Sequence, residues 1–181
     1  VHMTKVIGGM FALAKSERGG KRQRDLDASV PQALEHALMN AAFAAQEKSI
    51  TLTVDDLPEN LPHVAADPDG LLQIADNILD NAIKYSPPET MVRISAMSDG
   101  QSVVLRFQDQ GPGISPDDQM RVFERFFRAD NNDVDGAGSA GLGLAICRHI
   151  ARNYGGEVWV DSPVDETLGL GSVFSVRLPV A

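Results

Sequence analysis

One cysteine, one tryptophan and two tyrosines in 181 residues leave little covalent or aromatic material to hold this chain together. A single thiol excludes an internal disulfide framework, and the place of Cys147 in the apolar run LAICRHI reads as a buried thiol in a reducing compartment. Basic blocks are also missing. A formal charge of -9 with scattered Lys and Arg argues against a nucleic-acid partner, because phosphate backbones are held by clustered cations. The apolar runs fall far short of the roughly twenty residues that span a bilayer, and no charged leader with an apolar core opens the chain. The expectation is a soluble, cytoplasmic stretch without direct membrane contact.

What is present suffices for one core. With 43% apolar residues, the chain can close one domain and carry a short appendage. Val1-His2-Met3 reads as a cloning remnant and is set aside. Val6, Met10 and Leu13 recur at helical spacing over residues 4–18, and Gly19-Gly20 with the charged run KRQRD then makes a linker. The division expected is an appendage over residues 1–28 and a domain over residues 29–181. Ser29 is an N-cap with Pro31 just inside, starting a helix that stops near Lys48. ITLTV alternates as a strand. Asp67-Pro68 opens a second helix, which Ser86-Pro87-Pro88 ends near Tyr85. MVRISAM, SVVLRFQD, EVWVDS and SVFSVRL read as strands, with Asp99-Gly100 a hairpin turn between the first two. Strands grouped in this way predict an α+β sandwich with a mostly antiparallel sheet and helices on one face. Between Gly111 and Gly141 only a helical patch around Gln119 to Phe126 interrupts a long polar segment, the mark of a functional lid.

Three places carry chemistry. In the second helix, Gln73, Asn77, Asn81 and Lys84 line one face opposite Leu72, Ala75, Leu79 and Ile83. That face is either solvated or functional. Asparagine is a poor helix former, and two of them one turn apart offer amide oxygens that can hold Mg²⁺ when phosphates and water fill its other positions. DQGPGIS puts Asp109 at a strand end, where a carboxylate accepts hydrogen bonds from an amino group, and Gly111 and Gly113 in the turn after it. An ordinary Asp-Gly turn would look the same. Finally, glycines precede the apolar helix in GSAGLGLAICRHI, so backbone amides and the helix dipole face whatever binds at its start, and a phosphate fits. The G-x-G-x-x-G from Gly136 to Gly141 is not read as a dinucleotide fingerprint, because no strand precedes it.

Four segments in this order resemble the boxes of the histidine kinase ATPase family. QIADNILDNAIKYS is similar to its N box, DQGPGI to its first glycine box, VFERFFRAD to its phenylalanine box and GLGLAI to its second glycine box. GLGSVFSVRLP resembles the closing strand pair with the last glycine box. The resemblance implies a Bergerat-type two-layer α/β sandwich with a mixed sheet and an ATP lid. It implies ATP and Mg²⁺ as ligands, Asn81 as the metal ligand and Asn77 beside the phosphates. Lys84 would contact phosphate, Tyr85 the sugar or base side, and Asp109 the adenine amino group, with Gly111 and Gly113 shaping that wall. Arg128 would reach the terminal phosphate, Gly141, Leu142 and Gly143 would present backbone to the phosphates, and Ser172 would lie by the adenine. The resemblance makes Asn77, Lys84 and Arg128 the expected catalytic set. The family usually has Thr or Ser directly before Gly-Leu-Gly-Leu, whereas Ala140 stands here and Ser139 one earlier.

Hydrolytic and serine-kinase relatives of the same fold carry a glutamate four residues before the metal-binding asparagine, as a general base. Here that position is Asn77, whose amide has no useful basicity. The family's accepting histidine precedes an acidic residue, yet the four histidines here precede Met3, Ala37, Val64 and Ile150. The resemblance therefore implies a kinase domain whose phosphate acceptor lies on a histidine-containing dimerisation domain outside this chain. A response regulator receiver domain would be the next partner, and the parent protein a possible membrane-bound sensor. The other reading kept open is a nucleotide-binding module that relays conformation without transferring phosphate.

Overall fold

The computed structural model describes residues 26–128 and 141–181. The helix expected over residues 4–18, its linker and the polar run 129–140 lie outside the described residues. Helix α1 (Val30–Glu47) begins at Ser29, whose side chain accepts from the Gln32 amide, and Pro31 sits in its first turn. Helix α2 (Pro68–Tyr85) begins at Asp67, whose carboxylate accepts from the Gly70 amide at 2.8 Å. Each cap satisfies an amide that has no partner within its helix. The remaining elements are strand β1 (Thr51–Val54), β2 (Met91–Ser98), β3 (Ser102–Asp109), the short helix α3 (Pro116–Gln119), a 3₁₀ turn (Arg121–Phe123), α4 (Gly143–Asn153), β4 (Glu157–Asp161) and β5 (Ser172–Pro179).

The strands form one sheet in the order β1-β2-β3-β5-β4. Only β1 and β2 run parallel, and the other three pairs are antiparallel. Gly100, at φ 86°, turns the β2–β3 hairpin as Asp99-Gly100 predicts. Alternation along β2, β3 and β5 points Val92, Ile94, Val103, Leu105, Phe107, Val176 and Leu178 to one fully buried face. Helices α1, α2 and α4 share that core. The α+β sandwich with a mixed, mostly antiparallel sheet is thus observed.

Two elements differ from the sequence reading. The buried face of α2 is wider than the four-residue stripe: Leu71, Ile74, Ile78 and Ala82 are buried with Ala75, Leu79 and Ile83, while Leu72 is only partly covered. Contacts with α1, α4 and β3 explain this, because α2 is the central helix and is covered from several sides. The helical patch around Gln119 to Phe126 resolves into α3 and the 3₁₀ turn, which ends before Phe126. Ser115 caps α3 earlier than expected, and Phe126 has φ 65°, a left-handed conformation that no helix continues through.

Lys48 settles the far end of α2. Its ammonium donates to the carbonyls of Ile83 at 2.9 Å, Lys84 at 2.7 Å and Ser86 at 3.3 Å. These are carbonyls of the last turn and its cap, where a cation also complements the helix dipole. At the opposite end, the Tyr154 hydroxyl donates to Asp67 and so ties the start of α2 to the end of α4.

Candidate functional site

The predicted residues gather at two places joined by α2. At the first, Asp109 ends β3 with only 5% of its surface exposed. The Gly111 amide donates to its carboxylate at 2.8 Å, and the Ser172 amide donates from the neighbouring strand, where the two residues pair across the β3–β5 ladder. Burial pushes the carboxyl up to about 6, the two amides offsetting part of that rise. Side chains are kept out around it. A Cβ on Gly111 would stand 3.0 Å from the Asp109 carboxylate and 3.3 Å from the Tyr85 carbonyl, and one on Gly171 would stand 2.9 Å from the Asp109 carbonyl. Gly113, at φ 76°, comes so near the next turn that a Cβ would stand 2.5 Å from the Gly169 carbonyl. Only glycine makes that approach. Tyr85, Asp109, Gly111 and Ser172 therefore converge, as a carboxylate set in a glycine-lined wall.

The second place is about 12 Å along α2, eight residues at 1.5 Å each. Asn77 turns toward the start of α4: its amide oxygen stands 3.4 Å from where a Gly143 side chain would begin. Its Nδ2 is buried without a hydrogen-bond partner. Leu142 caps α4 with no side-chain hydrogen bond, so the first-turn amides of that helix are not taken by a side-chain cap. Behind them Cys147 is fully buried, as the sequence predicts, and its thiol points at the Ile74 carbonyl. Burial pushes the thiol up to about 12, with the Asn77 side chain partly opposing the shift, which makes it inert at neutral pH.

Asn81 lies one turn from Asn77 on α2 and is half-buried. Lys84 sits with its ammonium 3.4 Å from the Tyr85 hydroxyl and 4.9 Å from the ring centroid. Arg128, the last described residue before the run 129–140, is exposed. The three phenylalanines do not form one cluster. Phe123 is buried edge-on against Phe174 at 6.4 Å, Phe127 is half-buried under the Arg121 guanidinium at 4.5 Å, and Phe126 is 67% exposed. The Phe126 amide donates to the Gly141 carbonyl at 3.0 Å, and a Cβ on Gly141 would stand 2.8 Å from the Phe127 carbonyl. The two flanks of the segment 129–140 are joined there.

No cluster of three or more His, Cys, Asp or Glu able to hold a metal occurs among the described residues. A cation here would have to be held by amide oxygens, that of Asn81 first, together with oxygens of a bound ligand, while the buried Nδ2 of Asn77 is a donor and suits an acceptor oxygen of that ligand.

Two groups went unnoticed in the sequence. Ser162 accepts from the Ile114 amide at 2.8 Å and donates to the Gly171 carbonyl at 2.9 Å. Gln119 donates to the Ser162 carbonyl at 2.6 Å and to the Ile114 carbonyl at 3.2 Å, fastening α3 to the same place. The bonds of Ser162 with Ile114 and of Gln119 with Ser162 join residues 48 and 43 positions apart, which no local pattern announces.

Residues 66–181 match the family model described as histidine kinase-, DNA gyrase B- and HSP90-like ATPase. Among curated relatives, the adaptive-response sensory kinase SasA of Gloeothece citriformis is 41% identical over 136 residues, 75% of this chain and 33% of that protein. The sensor-like histidine kinase SenX3 of Mycolicibacterium smegmatis is 36% identical over 178 residues, 98% of this chain and 44% of that protein. The chain thus spans a third to under half the length of these relatives. Of solved structures, a mycobacterial sensor histidine kinase, MprB, superposes with a TM-score of 0.73 at 31% identity, covering 83% of this chain and 95% of that one.

Proposed function

Because the chain belongs to the histidine kinase-, DNA gyrase B- and HSP90-like ATPase family, we propose that it is the ATP-binding kinase domain of a sensor histidine kinase. In this reading it passes the γ-phosphate of ATP to a histidine on a dimerisation domain of the same parent protein, for relay to a response regulator aspartate. The residue that carries the choice of a histidine acceptor over water is Asn77. From α2 it faces the start of α4 as an amide that can orient a phosphate but cannot take a proton from water.

Adenine enters the glycine-lined wall with its amino group donating to Asp109, beside Ser172 and Tyr85. The phosphates lie along the amide face of α2 and end at the backbone amides of Leu142 and Gly143, with Gly141 before them, where the helix dipole favours their charge. Asn81, with Asn77 beside it, would hold Mg²⁺ together with phosphate oxygens, and the ion supplies neutralisation of the charge on the transferring group. Lys84 and Arg128 would add cations near the phosphates in a chain whose formal charge is -9. The domain itself begins at residue 29 in this reading, with residues 1–28 the end of a dimerisation helix and its linker. No helix among the described residues is long and apolar enough to cross a membrane.

The test mixes the chain with an isolated histidine-containing dimerisation domain and γ-labelled ATP. Acid-labile label on the added histidine is expected, and Asn81→Ala should lose both that transfer and the Mg²⁺-dependent tightening of ADP binding. Free phosphate released at the same rate with and without the added domain would replace the kinase reading with hydrolysis. Tight ADP binding without any transfer would leave a conformational module.

A further inference from the structure

Ser162, just after β4, is polar and half-buried, yet it has no part in the proposed phosphate chemistry. Its hydroxyl carries one proton and two acceptor positions. The Ile114 amide donates to that oxygen at 2.8 Å, and the proton goes to the Gly171 carbonyl at 2.9 Å. The Ser172 hydroxyl lies 3.2 Å away. With the Ser162 proton already committed, this contact is a hydrogen bond only if Ser172 is the donor. Ser172 then fills the last acceptor position of Ser162, and its own oxygen is left with lone pairs alone. It stands across the β3–β5 ladder from Asp109, and the two are 3% and 5% exposed.

Resting on the nucleotide reading above, we propose that Ser162 is a positioning residue for base choice: it fixes the direction of the Ser172 hydroxyl, so that Ser172 and Asp109 together present only acceptors to the base edge. Such a wall selects an edge that donates, the exocyclic amino group of adenine. It rejects a base with a carbonyl at the same position, because acceptor would then face acceptor. Freed from Ser162, the Ser172 hydroxyl can turn its proton toward a carbonyl and the selection weakens.

ADP and inosine diphosphate differ at that ring position by an amino group against a carbonyl, and at the neighbouring ring nitrogen by a bare acceptor against an N–H, so the change in their calorimetric ratio from parent to variant is what reads the preference. In Ser162→Ala the ADP preference should fall about tenfold, the worth of one well-placed hydrogen bond, through weaker ADP and unchanged or tighter inosine diphosphate binding. Ser162→Thr keeps the hydroxyl and should restore the parent preference. Ser172→Ala removes the acceptor itself and should lower the preference by a similar factor even if Ser162→Ala folds poorly. If Ser162→Ala weakens both nucleotides equally, or Ser172→Ala keeps the parent ratio, Ser162 only braces the loops and the proposal is overturned. A parent protein that binds both nucleotides equally would instead sink the base reading at Asp109, and this inference with it.

Discussion

A carboxylate that is almost fully buried yet held by two amides makes the proposed base-binding end of the site sensitive to pH. Asp109 titrates near 6 rather than at the usual 3.8 because burial disfavours its charge. Ionised, it accepts a charge-assisted hydrogen bond, so Asp109→Asn at pH 7.5 should weaken ADP binding about ten- to a hundredfold. Lowering the pH through about 6 should weaken the parent but not this variant beyond the common effect of phosphate protonation, so the gap between them closes. A constant ratio from pH 5 to 8 would remove the carboxylate from base binding. For stability the sign is opposite. A raised folded-state value means that the folded chain holds the proton more tightly than the unfolded one, so stability from this group is complete below about 3.8 and is lost as pH rises through about 6. Asp109 was readable in the sequence because it stands between a strand and two glycines. Ser162 and Gln119 were not, since their partners lie 48 and 43 positions away.

Helix α2 holds both ends of the candidate site, and Lys48 holds the last turn of α2. Replacing Lys48 with Met keeps most of its apolar stem but leaves three carbonyls without their donor. Urea unfolding should show a loss of about 2 kcal/mol, within the range for hydrogen bonds to charged groups. ADP binding should weaken as well, because Lys84 and Tyr85 belong to that turn. A variant as stable as the parent would show that water replaces the ammonium at no cost. The limits of α2 were legible because Asp67-Pro68 and Ser86-Pro87 are local signals, written within a few residues of the ends they set. The extent of its buried face was not, since that depends on α1 and α4 closing over it. The segment after β3 was misjudged for a related reason: Phe126 leaves helical geometry while bonded to Gly141, fifteen residues later.

At the scale of the whole molecule, no described histidine has the acidic successor of a phosphate acceptor. His36 precedes Ala37 on α1, His63 is bonded to Asp27 at 2.8 Å, and His149 lies 3.3 Å from Asn153 on α4. The chain incubated alone with γ-labelled ATP should therefore hold protein-bound label near background. Stable phosphohistidine at His36 or His149, located by mass spectrometry, would contradict this. The bond between Phe126 and Gly141 bears on a different use of the molecule. It closes the base of the 129–140 segment from the folded side, so the sheet and helices do not depend on how much chain runs between the two flanks. Closing a loop twice as long costs only about 0.6 kcal/mol. A peptide tag or a fluorescent reporter spliced between residues 132 and 138 should then leave the melting temperature nearly unchanged, and its attachment points would be the two flanks that meet at Gly141, two residues before α4 begins.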